Sequence, residues 1–242
     1  MRHILLSILS FLFILPSSAT DTLTVKSNFK ASSLITPLSL IGAGTLGFVE
    51  PVKSACIDIQ TCVDSWRGEH FTTVDDYLQY VPLVSVYGLS LLGAEAKHNY
   101  VDRTLEVGIA GVAMVGIVGS AKYFIDKERP DGSDLNSFPS GHAAKVFMGA
   151  ELVRIEYGDD YPWLAVGAYT IATATGALRV YNNHHWISDV IAGAGVGILS
   201  ARIGYWLLPY TKRVMHRITG WDIFFAPTAS SSGASLNAIV QF

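Results

Sequence analysis

The chain has 242 residues, of which half are hydrophobic and only 15% are charged, and its formal net charge is −3. Its mean hydropathy of +0.35 is high for a water-soluble globule. The weak negative charge and the lack of a Lys/Arg run exclude a basic surface for nucleic acid, and a chain of this length without a linker indicates one domain.

The first residues have the pattern of a secretory signal peptide. A short basic start precedes an apolar run at residues 4–15, and small residues follow at Ser17 and Ala19. This pattern predicts a signal peptide over residues 1–19, with an uncleaved anchor helix as the alternative. Both interpretations place the chain in a cell envelope.

The next region is apolar and then polar. Residues 34–49 are apolar but number only 16, so we expect a buried or interfacial helix rather than a membrane span. The polar stretch 50–76 contains Cys56 and Cys62. In an oxidising compartment a disulfide and two free thiols both remain open, and the spacing matches no zinc signature.

Five longer apolar segments predict the core helices of an all-α bundle. They cover residues 77–96, 105–124, 141–157, 161–178 and 186–208. Helices that are apolar on all faces are typical of membrane spans or of the centre of a soluble bundle. We expect a membrane-embedded helical domain over residues 20–217, with its motif-bearing core at 77–208. The tail, residues 218–242, has β-type residues around a Ser/Gly turn and predicts a short β-hairpin.

Three polar clusters interrupt the apolar segments. Ionised groups among apolar helices are costly unless they have partners, so the clusters mark a candidate site. Antiparallel helices would bring them to one end of the bundle, opposite most other basic residues, which predicts a periplasmic site. With a cleaved leader, this topology requires that residues 34–49 do not span the membrane, because an odd extra crossing would move the site to the cytoplasm. The clusters are Lys122-x6-Arg129-Pro130, Phe138-Pro139-Ser140-Gly141-His142 and Arg179-x5-His185-x3-Asp189.

The second cluster predicts a helix start that can bind an anion. Ser140 is a favoured N-cap, and the backbone N–H groups after it point outward at the positive end of the helix dipole. Gly141 has no side chain to hold an anion away, and His142 lies beside it. Taken alone, such a cluster is only a polar helix cap.

The third cluster adds a candidate nucleophile. His185 and Asp189 are four residues apart at a predicted helix start, so they would share one helix face. A carboxylate behind an imidazole sets its tautomer and stabilises its charged form. A local hydrogen bond without catalysis is the alternative. His184 lies about 100° around the same helix and is expected to be peripheral or to face the substrate.

The cations complete a site for a tetrahedral anion. Lys122, Arg129 and Arg179 exceed the single carboxylate of Asp189 by two positive charges. A phosphate monoester carries about −1.5 to −2 near neutral pH, and guanidinium groups match its oxygens. Sulfate and vanadate would fit the same charges.

The three clusters, in this order and spacing, resemble the signature motifs of the type 2 phosphatidic acid phosphatase (PAP2) superfamily. That superfamily groups membrane lipid phosphatases, soluble bacterial acid phosphatases and the generally longer vanadium haloperoxidases. The resemblance covers roughly residues 77–208. The third motif usually begins with Ser-Arg, whereas Leu178 precedes Arg179 here, so one phosphate contact is expected to be missing.

The resemblance implies a role for each motif residue. His185 would attack phosphorus to form a phosphohistidine, Asp189 would orient it, and His142 would protonate the leaving oxygen and then activate water. No metal and no cofactor are implied. A metal site built from His142, His184, His185 and Asp189 is disfavoured, because three nearby cations would repel a metal ion. The phosphate-binding residues would be Lys122, Arg129, Ser140, Gly141 and Arg179.

The expected function is hydrolysis of a lipid phosphate or pyrophosphate at the periplasmic face of a Gram-negative inner membrane. Undecaprenyl pyrophosphate, lipid A and phosphatidylglycerol phosphate are candidate substrates, and the sequence selects neither among them nor among oligomeric states. A soluble periplasmic acid phosphatase of broad specificity and a non-catalytic membrane lipid-binding protein are the alternatives.

Overall fold

The computed structural model describes residues 29–219, 222–230 and 233–241, so the predicted signal peptide at 1–19 lies outside the described residues. Short 3-10 turns at Ala31–Leu34 and Leu46–Phe48 flank the first helix. The α-helices of the described residues are α1 (Ile35–Thr45), α2 (Val52–Arg67), α3 (Val74–Leu78), α4 (Val81–Leu91), α5 (Tyr100–Phe124), α6 (Gly141–Tyr157), α7 (Pro162–Tyr181) and α8 (Ile187–Thr219). Strands β1 (Asp222–Ser230) and β2 (Gly233–Gln241) pair antiparallel.

The all-α class predicted from the apolar segments is confirmed, although some boundaries differ. The segment 77–96 divides into α3 and α4, with Pro82 in the first turn of α4. Proline is tolerated there because the first N–H groups of a helix have no intrahelical partner. Helix α8 continues past Pro209, where the prediction ended at residue 208.

Helix α6 forms the centre of the bundle and packs against α4, α7 and α8. Most of its side chains are buried, among them Ala144, Met148 and Leu152. Helix α8 approaches closely because it presents glycine at the contact: a Cβ at Gly193 would lie 2.5 Å from the carbonyl oxygen of Ser140. This contact holds the start of α6 against the start of α8.

Three helical segments are long and apolar enough to cross a membrane: Ala31–Phe48, Tyr100–Phe124 and Ile187–Arg217. Large apolar side chains such as Val112 and Val115 on α5 are exposed, as expected for a surface facing lipid. The chain is therefore a membrane protein. The sequence predicts that residues 34–49 are too short to cross a membrane. In the structure, 3-10 turns extend α1 at both ends, and the helical segment becomes long enough to cross.

The two cysteines are free thiols in the structure, and Cys56 is buried whereas Cys62 is exposed. Both lie on α2, six residues apart, so their Cα atoms are separated by about 9 Å along the helix axis. A disulfide requires Cα atoms roughly 4.4–6.8 Å apart, which a regular helix does not allow at this spacing. Of the two interpretations left open by the sequence, the structure has the free thiols.

Candidate active site

The fold brings the three polar clusters together at one end of the bundle. The backbone N–H of Ser140 donates to the carbonyl oxygen of Asp189 at 3.0 Å, which joins the second and third clusters. The indole Nε1 of Trp186 donates to the carbonyl oxygen of Glu128 at 2.8 Å, which joins the third cluster to the first. The end of α5, the start of α6, the end of α7 and the start of α8 therefore surround a common site.

His185 is buried, with 2% of its surface exposed, and its orientation selects one tautomer. Its Nδ1 lies 2.8 Å from the carbonyl oxygen of Ser137. Because a carbonyl oxygen can only accept, Nδ1 carries the proton and the lone pair is on Nε2. Burial, followed by the positive charge of Arg179, holds the pKa of His185 well below its usual value. The side chain is a neutral imidazole whose Nε2 carries the lone pair.

Asp189 supports His185 through an intermediate residue, not through the direct pairing that the sequence predicts. His185 precedes α8, which begins at Ile187, so the two side chains do not share a helix face. One Asp189 oxygen accepts from the backbone N–H of Trp186 at 3.2 Å and from Ser137 Oγ at 2.5 Å. The first contact caps α8 in the manner of a capping box, and the second orients the residue whose carbonyl holds His185.

Lys127 is a site residue that the sequence motifs did not identify. Its Nζ donates to the second Asp189 oxygen at 2.6 Å and to Ser188 Oγ at 3.0 Å. Asp189 is fully buried, and a buried carboxylate needs such a partner. Lys127 and Ser137 both lie in the connection between α5 and α6, where no local spacing links them to Asp189.

Arg179 is buried and forms a salt bridge with an acidic residue of α3. Its Nη1 lies 2.5 Å from Asp75 Oδ2, and Asn182 Nδ2 donates to the other oxygen of Asp75 at 2.9 Å. The Nε atom of Arg179 is buried and has no hydrogen-bond partner within the described part of the chain. A buried N–H without a partner is costly, so this atom is available to donate to an anion.

His142 lies in the first turn of α6 and faces a second acidic residue of α3. Its Nε2 is 3.1 Å from Asp76 Oδ1, and the same oxygen is 3.8 Å from Arg179 Nη1. Burial, followed by the charge of Arg179, lowers the pKa of His142, whereas Asp76 acts in the opposite direction. Asp76 is thus a counter-ion to both groups, and 55% of its side-chain surface is exposed.

The remaining predicted phosphate ligands surround the same end of the bundle. Ser140 is the N-cap of α6, as predicted, and its Oγ accepts from the N–H of Ala143 at 3.4 Å. The space beside Gly141 is open, because a Cβ there would meet nothing within 4 Å. Lys122 Nζ donates to the carbonyl oxygen of Asn136, and Arg129 Nε is 2.9 Å from Asp134 Oδ1.

The charge surplus expected from the motifs is offset by carboxylates that the motifs do not contain. Asp75, Asp76 and Asp134 lie against the cations, and with Asp189 they match the four charges of Lys122, Lys127, Arg129 and Arg179. The prediction of two excess positive charges is therefore wrong for the site without substrate. An incoming anion would compete with the partly exposed Asp76 and Asp134, not with buried Asp75.

The alternative metal-binding set does not converge on one point. His184 is partly exposed, and its Nδ1 lies 3.2 Å from Asp131 Oδ2. His142 faces Asp76, His185 faces Ser137, and Asp189 faces Lys127. Each donor therefore turns to a different partner.

Part of the chain matches a known protein family. The model of the PAP2 superfamily matches residues 104–213. The chain carries a PAP2 superfamily domain. This confirms the family indicated by the three motifs, all of which lie inside the PAP2 match.

The PAP2 domain has relatives named for a phosphatase activity. The lipid A 1-phosphatase of Porphyromonas gingivalis is 40% identical over 141 residues, which are 58% of this chain and 32% of that protein. The lipid A 1-phosphatase of Helicobacter pylori is 26% identical over 140 residues, which are 54% of this chain and 67% of that protein. The matched region thus spans about a third of the first relative and two thirds of the second.

Among solved structures, Aquifex aeolicus LpxE aligns with a TM-score of 0.47 and 18% sequence identity. The alignment covers 61% of this chain and 93% of that chain.

Proposed function

We propose that the chain is a metal-independent phosphatase that removes phosphate from a membrane lipid through a phosphohistidine intermediate. The observation that carries the proposal is the pairing of two buried groups. His185 directs a free Nε2 lone pair away from the Ser137 carbonyl, and Arg179 has an unpartnered Nε on the same side of the bundle. A nucleophile beside an unsatisfied anion donor suits phosphoryl transfer.

In the first step, His185 Nε2 attacks phosphorus and the bond to the lipid oxygen breaks, while a protonated His142 donates its proton to that oxygen. The Ser137 carbonyl accepts from Nδ1–H and stabilises the charge that develops on the ring. Binding of a phosphate dianion would raise the depressed pKa of His142, because a negative charge favours the protonated imidazole. This step leaves phosphohistidine and the free lipid alcohol.

In the second step, the neutral His142 removes a proton from water, whose oxygen attacks phosphorus and breaks the bond to Nε2. Inorganic phosphate leaves and His185 is restored. Lys122, Arg129, Arg179 and the N–H groups at the start of α6 would hold the equatorial oxygens in both steps, and Ser140 would orient that helix start.

For the substrate, we favour a lipid A-type 1-phosphate on the periplasmic side of a Gram-negative inner membrane. Two relatives carry the name lipid A 1-phosphatase, and the membrane helices supply a route for a lipid. Undecaprenyl pyrophosphate and phosphatidylglycerol phosphate are the other candidates, and they share the chemistry of a terminal phosphate on a lipid.

The test compares His185→Ala with the matched control His184→Ala in the purified full-length chain. We expect His185→Ala to lower phosphate release from lipid A on the order of 1,000-fold or more, because the variant lacks the proposed nucleophile. His184→Ala, which removes a neighbouring peripheral imidazole, should retain activity. Acid-stable and acid-labile phosphoprotein can be separated after quenching, and only the labile form is expected.

A second comparison separates the alternatives. Lipid phosphates and a soluble aryl phosphate are assayed side by side with chelator present, and membranes are washed with carbonate. Preference for the lipid and retention in the membrane pellet support the proposal. Equal turnover of the soluble ester by a protein released with carbonate would favour a soluble acid phosphatase. Unchanged turnover in His185→Ala would exclude the phosphohistidine route.

A further inference from the structure

A second cluster of ligand-type side chains lies at the other end of the bundle. His98 is in the connection between α4 and α5, Glu106 is in the second turn of α5, and Glu156 is in the last turn of α6. One donor atom from each residue can be chosen so that all three lie within 4.8 Å of one another. The phosphatase mechanism uses none of these residues.

Two of the three groups are already in contact. His98 Nδ1 is 2.7 Å from Glu156 Oε1, and the backbone N–H of His98 donates to Glu156 Oε2 at 3.0 Å. This second bond holds the α4–α5 connection against the end of α6. The side chain of His98 is largely buried, and that of Glu156 is almost fully buried.

Glu106 is the member of the cluster whose carboxylate has no hydrogen-bond partner in the described part of the chain. It is fully buried, and neither of its carboxylate oxygens has a hydrogen-bond partner among the described residues. Its Oε2 lies 3.8 Å from His98 Nδ1, so the side chain is directed into the cluster. A buried carboxylate without a donor is strongly unfavourable, which points to a bound ligand of positive charge.

The neighbouring cations have other partners. Lys97 Nζ lies 3.5 Å from Asp159, and Lys212 Nζ lies 2.8 Å from Asp102. The Arg103 guanidinium donates through Nη1 to the carbonyl oxygen of Val86 and to the hydroxyl groups of Ser90 and Tyr157, and its Nε has no hydrogen-bond partner among the described residues. None of these three cations forms a salt bridge with Glu106 or Glu156 in the described part of the chain, so the two carboxylates are open to a bound cation.

The geometry also suits a metal ion that accepts nitrogen and oxygen together. Zinc bonds to His and carboxylate are about 2.0–2.2 Å, so neighbouring ligands of a tetrahedral ion are roughly 3.4 Å apart. The observed separations of 2.7 and 3.8 Å from His98 Nδ1 lie on either side of that value. Magnesium prefers oxygen ligands in an octahedron, and the imidazole disfavours it.

We propose that His98, Glu106 and Glu156 bind one Zn²⁺ ion, which clamps the α4–α5 connection to α5 and α6. The site is remote from the phosphate chemistry. Glu106 and Lys122 are 16 residues apart on α5, or about 24 Å, and His142 and Glu156 are 14 residues apart on α6, or about 21 Å. The ion is therefore structural, and phosphate release measured well below the unfolding temperature does not require it.

The test uses the full-length chain in detergent micelles, first stripped with chelator and then exposed to Zn²⁺ alone or Mg²⁺ alone. We expect one zinc ion per chain by elemental analysis after gel filtration. With zinc at 100 times its Kd, the unfolding temperature should rise by about 5–10 °C. Magnesium should leave the unfolding temperature unchanged.

Glu106→Gln keeps the shape of the side chain but removes its charge, and it should lower zinc affinity by more than about tenfold. His98→Gln is a second variant with the same expected loss, in case the first fails to fold. The matched control is Asp159→Asn, which removes an exposed carboxylate at the same end of the bundle and should retain the ion.

Equal zinc content in Glu106→Gln, His98→Gln and the parent chain would overturn the proposal. So would a parent chain whose stability zinc does not change. In that case the carboxyl groups of Glu106 and Glu156 would share a proton, and Glu106→Gln would be at least as stable as the zinc-free parent chain. Because each readout is metal content or unfolding temperature, failure here leaves the proposed phosphatase activity untouched, and the reverse also holds.

Discussion

At the scale of single residues, the adjacent Asp75 and Asp76 show how burial separates two identical side chains. Asp75 is 1% exposed and bonds to Arg179 and Asn182, so it holds the guanidinium in place. Asp76 is mostly exposed and faces His142. A buried ion pair loses several kcal/mol when one partner is removed, whereas an exposed carboxylate acts mainly through its field. Asp75 is a structural group, and Asp76 adjusts the charge on His142.

We predict that Asp76→Asn shifts the pH profile of phosphate release. Asp76 raises the pKa of His142 against the lowering effects of burial and Arg179, so its removal lowers that pKa further. The proton that His142 donates is then lost at a lower pH, and the alkaline limb of the kcat/KM profile moves to lower pH.

The control for this change is Asp131→Asn, which removes the carboxylate facing peripheral His184 and should leave the profile in place. Steady-state rates measured across the pH range provide the comparison. An Asp76→Asn profile that superimposes on that of the parent chain would contradict the assignment of Asp76.

At the scale of helices, the site is formed by the ends of helices and not by their faces. His142 opens α6, Arg179 belongs to the last turn of α7, and His185 precedes α8. Helix ends have backbone groups without intrahelical partners, which explains why polar residues and anion donors collect there. The relative position of those ends depends on how closely α8 packs on α6.

Gly193→Ala should therefore weaken both stability and activity. The added Cβ would lie 2.5 Å from the Ser140 carbonyl and 3.3 Å from the Ala144 nitrogen, and both atoms belong to backbone that cannot turn aside. We expect a loss of about 1–3 kcal/mol in the free energy of unfolding, typical of overpacking, together with a lower kcat/KM.

Gly116→Ala on α5 is the matched control, because its Cβ would meet nothing within 4 Å. It should be neutral or should stabilise the chain by about 0.4–1 kcal/mol through the unfolded state. Denaturant titration in micelles measures both variants. If they prove equally stable, the close contact of α6 and α8 is not what positions the site.

At the scale of the whole molecule, the bundle has two chemically different ends. One end holds the candidate active site, and the other holds the His98 cluster and the exposed Asp159. Three segments long enough to cross a membrane lie between or beside them. The first segment, Ala31–Phe48, affects the orientation of the bundle in the membrane, because one more crossing would reverse the side to which the site is exposed.

We predict that the active-site end faces the periplasm, because most basic residues outside the three motifs lie at the other end of the bundle. Single cysteines placed at Ser133, in the exposed α5–α6 connection, and at Asp159 would report the two ends in a chain whose Cys56 and Cys62 are replaced by serine. A membrane-impermeant maleimide added to intact cells with a permeable outer membrane should label Ser133→Cys only. Labelling of Asp159→Cys alone would reverse the orientation.

The sequence alone determined the features that depend on local chemistry. Long apolar segments predict helices, Ser140 before an apolar run predicts the start of α6, and the spacing of the three motifs indicates the PAP2 family. These inferences hold because hydrophobic periodicity, helix capping and motif spacing act over a few residues. The roles of the motif residues in catalysis stay predictions.

Only the tertiary structure decided which groups surround those motifs. Asp75 meets Arg179 across 104 residues, and Ser137 lies between His185 and Asp189 although it is about 50 residues from each. Glu106 and Glu156 look like ordinary helix charges until packing places them beside His98. The reason is physical: burial and proximity set the charge balance, the tautomer and the pKa of these groups. Both arise from helix packing, which no local pattern encodes.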